Sequence, residues 1–143
     1  MQGSNDERFR VLLDELERWN RKVNLTAVRD RAQMETLHVA DSLAARPFRR
    51  GRRILDVGTG PGVPGLPLAI VEPEREFTLL DSNNKKILFV KHSAALLGLD
   101  KVTPIKARSE EYATGHRFDN EIERALASLT RLVEIAGHND GYA

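Results

Sequence analysis

The sequence predicts an α/β fold, a parallel sheet wound with helices behind an N-terminal helical extension. Three observations predict it. The first fifty residues carry apolar side chains at three- and four-residue steps. From Arg53 onward, short apolar strands alternate with helices long enough to return the chain for parallel pairing through right-handed crossovers. Directly after the first strand, Gly58-Thr59-Gly60-Pro61-Gly62 makes a glycine-rich turn. The expected division is a helical extension over 1–50 and one α/β domain over 51–143, and 143 residues suit one domain better than two.

Each element has a local cause. Ser4 with Glu7 reads as a capping box. Phe9, Leu12, Leu13, Leu16, Trp19 and Val23 then mark one face of a helix, with Trp19 read as core, and Asn24-Leu25-Thr26 interrupts it. Asn24 is read as a turn that caps this helix. Asp30 with Gln33 caps a second helix, whose expected buried stripe is Met34, Leu37, Ala40 and Ala44 and which Pro47 ends. On it His38 and Asp41 stand three apart and can pair on one face.

Ile54 to Val57 is a short buried strand, and Leu66 to Ile70 a short helix. Phe77 to Leu80 is a second strand ending at Asp81, and Lys85 to Leu97 a helix capped by Gly98. Val102 to Ala107 is a third strand, and Pro104 argues for an edge position. Phe118 to Arg124 reads as a fourth strand, although Asn120, Glu121 and Glu123 are polar for a central one. Leu129, Leu132, Val133 and Ala136 suggest a last helix.

Composition narrows the chemistry. With no cysteine, the chain has no disulfide, thiolate metal site or cysteine nucleophile, which fits a reducing cytoplasm. The uncharged run from Val57 to Ile70 is broken by its glycines and prolines, so no membrane span is expected, and no leader suggests export. The net charge of +1 hides an asymmetry, +4 over residues 1–53 and −3 over the remainder. Arg46, Arg49, Arg50, Arg52 and Arg53 cluster without an acid, either as a phosphate-binding patch or as a solvated loop.

A glycine turn between strand and helix lets backbone amides approach a ligand that a Cβ would block. Gly60, Gly62 and Gly65 match a dinucleotide spacing, but Asp56 would repel a pyrophosphate, and Pro61 and Pro64 remove amide donors. A carboxylate at Asp56 suits a cationic ligand bearing an ammonium and a sulfonium. Asp81, at the end of the second strand, can accept from both hydroxyls of a ribose. Ser109-Glu110-Glu111 can either reach an adenine or start a helix.

At these residues the chain resembles a family. Asp56-Val57-Gly58-Thr59-Gly60-Pro61-Gly62-Val63-Pro64-Gly65 and Leu79-Leu80-Asp81-Ser82 are similar to the RsmG (GidB) family of bacterial small-subunit rRNA methyltransferases. So are Trp19-Asn20, Val23 to Asp30, His38 to Leu43, and Arg124 to Leu129. The resemblance implies a class I (Rossmann-like) methyltransferase fold, S-adenosyl-L-methionine as cofactor, and methylation of a guanine N7 in 16S rRNA or a small ribosomal subunit precursor. It places cofactor contacts at Gly58, Val63, Ser109, Glu110 and Arg124, with Asp81 as the ribose acid. Asp56 and Gly60 join that set through the turn. Guanine N7 carries an in-plane lone pair, so no general base is expected. Arg124 and Arg108 are expected to position the guanine or its phosphates, and Arg49, Arg50, Arg52 and Arg53 to bind RNA. No metal is expected.

Val63 stands where many members have leucine, and Asn84 where a glycine is usual. Members also continue into further strands of a seven-stranded sheet, so the chain is expected to be truncated, with a partial sheet and its fourth strand as an exposed edge. Two other readings follow: a non-catalytic cofactor- or RNA-binding remnant, and a nicotinamide oxidoreductase, which Asp56 and the prolines disfavour.

Overall fold

The computed structural model describes residues 4–44, 51–108, 120–125 and 129–133. Helix α1 (Asn5–Asn20) begins where the Ser4 hydroxyl accepts the Glu7 amide at 3.1 Å. Leu12, Leu13 and Leu16 are buried, and Phe9, Trp19 and Val23 pack around them, as the spacing predicts. The turn that follows is held by Asn20 rather than Asn24. Asn20 Oδ1 accepts the amides of Leu25 (2.8 Å) and Thr26 (3.1 Å), and its Nδ2 donates to the Thr26 carbonyl. Asn24 instead accepts from Arg29 at 2.7 Å.

The second helical region is α2 (Arg31–Met34), a π-helical segment (Glu35–Ala40) and α3 (Asp41–Leu43). Asp30 caps it through the Gln33 amide at 3.1 Å. The expected stripe is corrected here. Met34, His38 and Ser42 face inward, whereas Leu37 is 44% exposed and Ala40 and Ala44 are exposed. The Asp41 amide reaches back to the Thr36 carbonyl, the wider i→i+5 turn, which breaks the regular helical period. Both polar residues on the buried face make hydrogen bonds: His38 Nε2 meets Thr26 Oγ1 at 3.1 Å, and Ser42 Oγ donates to the His38 carbonyl at 2.8 Å. His38 thus ties the helix to the Leu25–Thr26 turn, while Asp41 faces solvent.

The sheet contains β1 (Arg53–Val57), β2 (Glu76–Asp81), β3 (Val102–Lys106), β4 (Asn120–Ala125) and β5 (Leu129–Val133), in the order β3-β2-β1-β4-β5. The first four run parallel, with Ile54 opposite Phe77, Leu79 opposite Pro104 and Val57 opposite Glu123. β3 is an edge, as Pro104 predicts. Two expectations fall. Leu129 to Val133 is a strand and not a helix, and it pairs antiparallel with β4, Leu132 opposite Ile122. β4 is therefore an internal strand, covered by β5.

Helices α4 (Gly65–Val71) and α5 (Asn84–Leu97) make the crossovers. Asn83 Oδ1 accepts the Lys86 amide to start α5, and Gly98 ends it at φ +67°. α1 packs on both α4 and α5, with Trp19 edge-on to Phe89 at 5.4 Å. One hydrophobic core joins Leu12, Leu16 and Met34 of the extension to Ile54, Leu66, Phe77 and Phe89 of the α/β layer. Among the described residues no helix is long and apolar enough to cross a membrane.

Candidate functional site

The carboxyl ends of the parallel strands open into a cleft of about 490 Å³, lined by Val57, Gly58, Leu80, Asp81, Ser82, Ala107 and Arg108. That volume lies within the roughly 300–1,000 Å³ of small-molecule sites, and the place is where open α/β sheets bind ligands. β1, β2 and β3 each contribute the residues that follow their last pairing. Backbone bonds lock those ends together: the Thr59 amide donates to the Leu80 carbonyl (2.9 Å) and the Ala107 amide to the Asp81 carbonyl (3.1 Å).

Two carboxylates organise the turn from opposite sides. Asp56 is wholly buried behind it. Its Oδ2 accepts the Thr59 hydroxyl at 2.7 Å and the Gly65 amide at 3.0 Å, so it fastens the turn to the start of α4. From the sequence, this carboxylate is expected to face a cationic ligand. The structure turns it onto the protein's own donors, because Thr59 and Gly65 return to within reach of the strand end. Gly65 is required there, since a Cβ would stand 2.8 Å from Leu79 Cγ and 2.9 Å from Asp56 Oδ2.

Asp81 works from the cleft side. Its Oδ2 accepts the Gly60 amide and its Oδ1 the Asn83 amide, both at 2.8 Å. A carboxylate has about four acceptor positions, so these two bonds orient Asp81 and leave capacity for a ligand's hydroxyls. Gly58, at φ +68°, lines the same cleft, and a Cβ there would meet no protein atom within 4 Å. A side chain would therefore take up ligand space.

The structure thus brings Gly58, Gly60, Asp81 and Arg108 together. Val63 is buried in the turn and is not part of the cleft lining among the described residues. Ser109, Glu110, Arg49 and Arg50 lie outside the described residues. Arg124 is at the carboxyl end of β4, one residue past the partner of Val57, and its backbone pairs with Thr130. Arg52 and Arg53 are elsewhere. Arg53 starts β1 opposite Glu76, roughly 13 Å along the strand from Val57 at about 3.3 Å per residue. The sequence assigns no role of their own to Thr59, Ser82 or Ala107. Thr59 had a signal, being a lone hydroxyl between two glycines beside a buried acid.

Comparison with known proteins bears on this arrangement. The family model described as "GidB: rRNA small subunit methyltransferase G" matches residues 5–141. A "Ribosomal RNA small subunit methyltransferase G" of Methylococcus capsulatus is 49% identical over 130 residues, covering 91% of this chain and 63% of that protein. Its namesake in Actinobacillus succinogenes is 46% identical over 123 residues, covering 86% and 58%. The chain spans 58–63% of the length of these two curated relatives. Among solved structures, a precorrin-6y C5,15-methyltransferase of Geobacter metallireducens superposes with a TM-score of 0.54 at 15% identity, over 71% of this chain and 50% of that one. At that identity the likeness is one of fold.

Proposed function

The chain belongs to the GidB family, rRNA small subunit methyltransferase G, and we propose on that premise that it binds S-adenosyl-L-methionine in the cleft and methylates a guanine N7 of 16S rRNA in the cytoplasm. The observation that carries the reading is Asp81, a carboxylate held by two backbone amides with acceptor capacity left over in a ligand-sized cleft. Gly58 supports the fit, because its missing Cβ leaves open space in the lining.

In this reading Asp81 accepts the ribose hydroxyls and Gly58 admits the ligand close to the backbone. Asp56 holds the turn from behind through Thr59 and Gly65. When bound, S-adenosylmethionine supplies an electrophilic sulfonium methyl that a ring-nitrogen lone pair can take in line, without a general base. The protein's contribution is then alignment and electrostatics. Arg108, at the cleft rim, and Arg124, at the end of β4, position the guanine or its phosphates.

Transfer of labelled methyl from S-adenosylmethionine to small-subunit RNA tests the reading. It predicts label at a guanine N7, reduced in Arg108→Gln. Cofactor binding without transfer would confine the chain to a binding role, and a preference for NAD would overturn both.

A further inference from the structure

Residues 82–108 carry six lysines and arginines and one acid, Asp100. The net charge of −3 across the second part of the chain conceals this basic stretch. Four of the six stand close to cleft residues in sequence or strand register. Lys106 is the register partner of Asp81 on the next strand, and Arg108 lines the cleft two residues later. Lys85 and Lys86 follow Asn84 in the first turn of α5, whose cap Asn83 has its amide fixed to Asp81. Lys85, Lys106 and Arg108 are exposed and Lys86 is half-buried.

Among the described residues no ion pair engages any of the four. Some cations elsewhere are paired: Arg31 bonds Asp14 and Glu17 at 2.7 Å each, and Arg75 bonds Glu72 at 2.7 Å. Like charges crowded without partners repel one another, and a polyanion relieves that repulsion. The arginines Arg52 and Arg53, which the sequence marks for RNA, are at the opposite end of β1. A base entering the cleft brings its own flanking phosphates to the carboxyl end, where the lysines are.

Resting on the methyltransferase reading, we propose that Lys85, Lys86 and Lys106 form a basic belt that holds the RNA backbone beside the cleft, with Arg108 at its inner margin. Such contacts set register and orientation and carry little sequence information. The belt is separate from the ribose-holding Asp81, so RNA affinity and cofactor affinity respond to different substitutions.

The test measures binding of a 16S rRNA transcript by the full chain as salt is raised, with S-adenosylmethionine affinity measured in parallel. Each phosphate contact contributes about 0.7–0.9 to the slope of log affinity against log salt. Lys85→Gln/Lys86→Gln/Lys106→Gln should lower that slope by about 2 and leave cofactor affinity unchanged. The single Lys85→Gln should give a smaller change of the same sign. A wild-type slope in the triple variant, with a reduced slope in Arg52→Gln/Arg53→Gln, would overturn the belt alone. Loss of cofactor binding in the triple variant would make the lysines structural and also overturn it. A wild-type chain that binds cofactor but not the transcript would remove the RNA reading itself, and the belt with it.

Discussion

The Gly60 amide and the Asp81 carboxylate, 21 residues apart, meet at 2.8 Å beside the cleft that Asp81 lines. The bond joins the turn after β1 to the end of β2, the two segments that must be in register for one ligand to touch both. Asp81→Ala removes this tie, the Asn83 bond and the proposed ribose acceptor together. It should weaken S-adenosylmethionine by about 1–3 kcal/mol, roughly 5- to 150-fold, in a calorimetric titration. Unchanged affinity would take Asp81 out of the site.

The glycines of the turn separate packing from binding. At Gly65 an added Cβ collides with Leu79 and Asp56, so Gly65→Ala should cost about 1–3 kcal/mol of stability in urea unfolding. At Gly58 the added Cβ meets only open space, and the positive φ costs about 1–2 kcal/mol. Gly58→Ala should therefore reduce cofactor affinity beyond what its stability loss explains. Equal and parallel effects from the two variants would contradict the assignment.

Asp56 predicts a stability effect of its own. Asp56→Ala strands the buried Gly65 amide and Thr59 hydroxyl, at about 1–3 kcal/mol for each group left unpaired. A melt indistinguishable from wild type would show that the turn does not depend on this carboxylate.

Acid sensitivity is predicted where α1 meets α5. The Arg18 guanidinium, hydrogen-bonded at 2.6 Å, holds the Glu15 carboxyl below its ordinary value of 4.5; partial burial opposes this, and the His92 bond at 2.7 Å assists it. In the acid range the unfolded chain then binds more protons than the folded one at this residue. Glu15's contribution is complete above the ordinary value and is lost as pH falls through the lowered one. Wild type should lose more stability than Glu15→Gln on acidification below 4.5, and the difference should shrink in salt because Arg18 is solvent-exposed. Parallel pH profiles would contradict this account.

What could be read from the sequence follows the range of the forces involved. Capping at Ser4, Asp30 and Gly98 is local chemistry, and each cap is in place. β1 to β3 are short apolar runs bounded by turn residues, and their order follows from two crossovers. Leu129, Leu132 and Val133 misled because a three-then-one spacing fits one helical turn as well as a strand; pairing with β4 decides between them. His38 and Ser42 were hidden for a related reason. A pattern of apolar residues cannot show polar groups buried by bonding to Thr26 and to one another. At the site, the position of Asp81 at the end of β2 was legible. The inward turn of Asp56 was not, because it depends on Thr59 and Gly65 folding back onto it.

The central claim is that the ends of β1, β2 and β3 form a cofactor site. Calorimetric titration of S-adenosylmethionine into the purified chain, with NAD as the control, tests it most directly. The account predicts saturable binding near one-to-one, no comparable heat with NAD, and a large loss of affinity in Asp81→Ala. A folded chain that binds neither compound, or that prefers NAD, would contradict it.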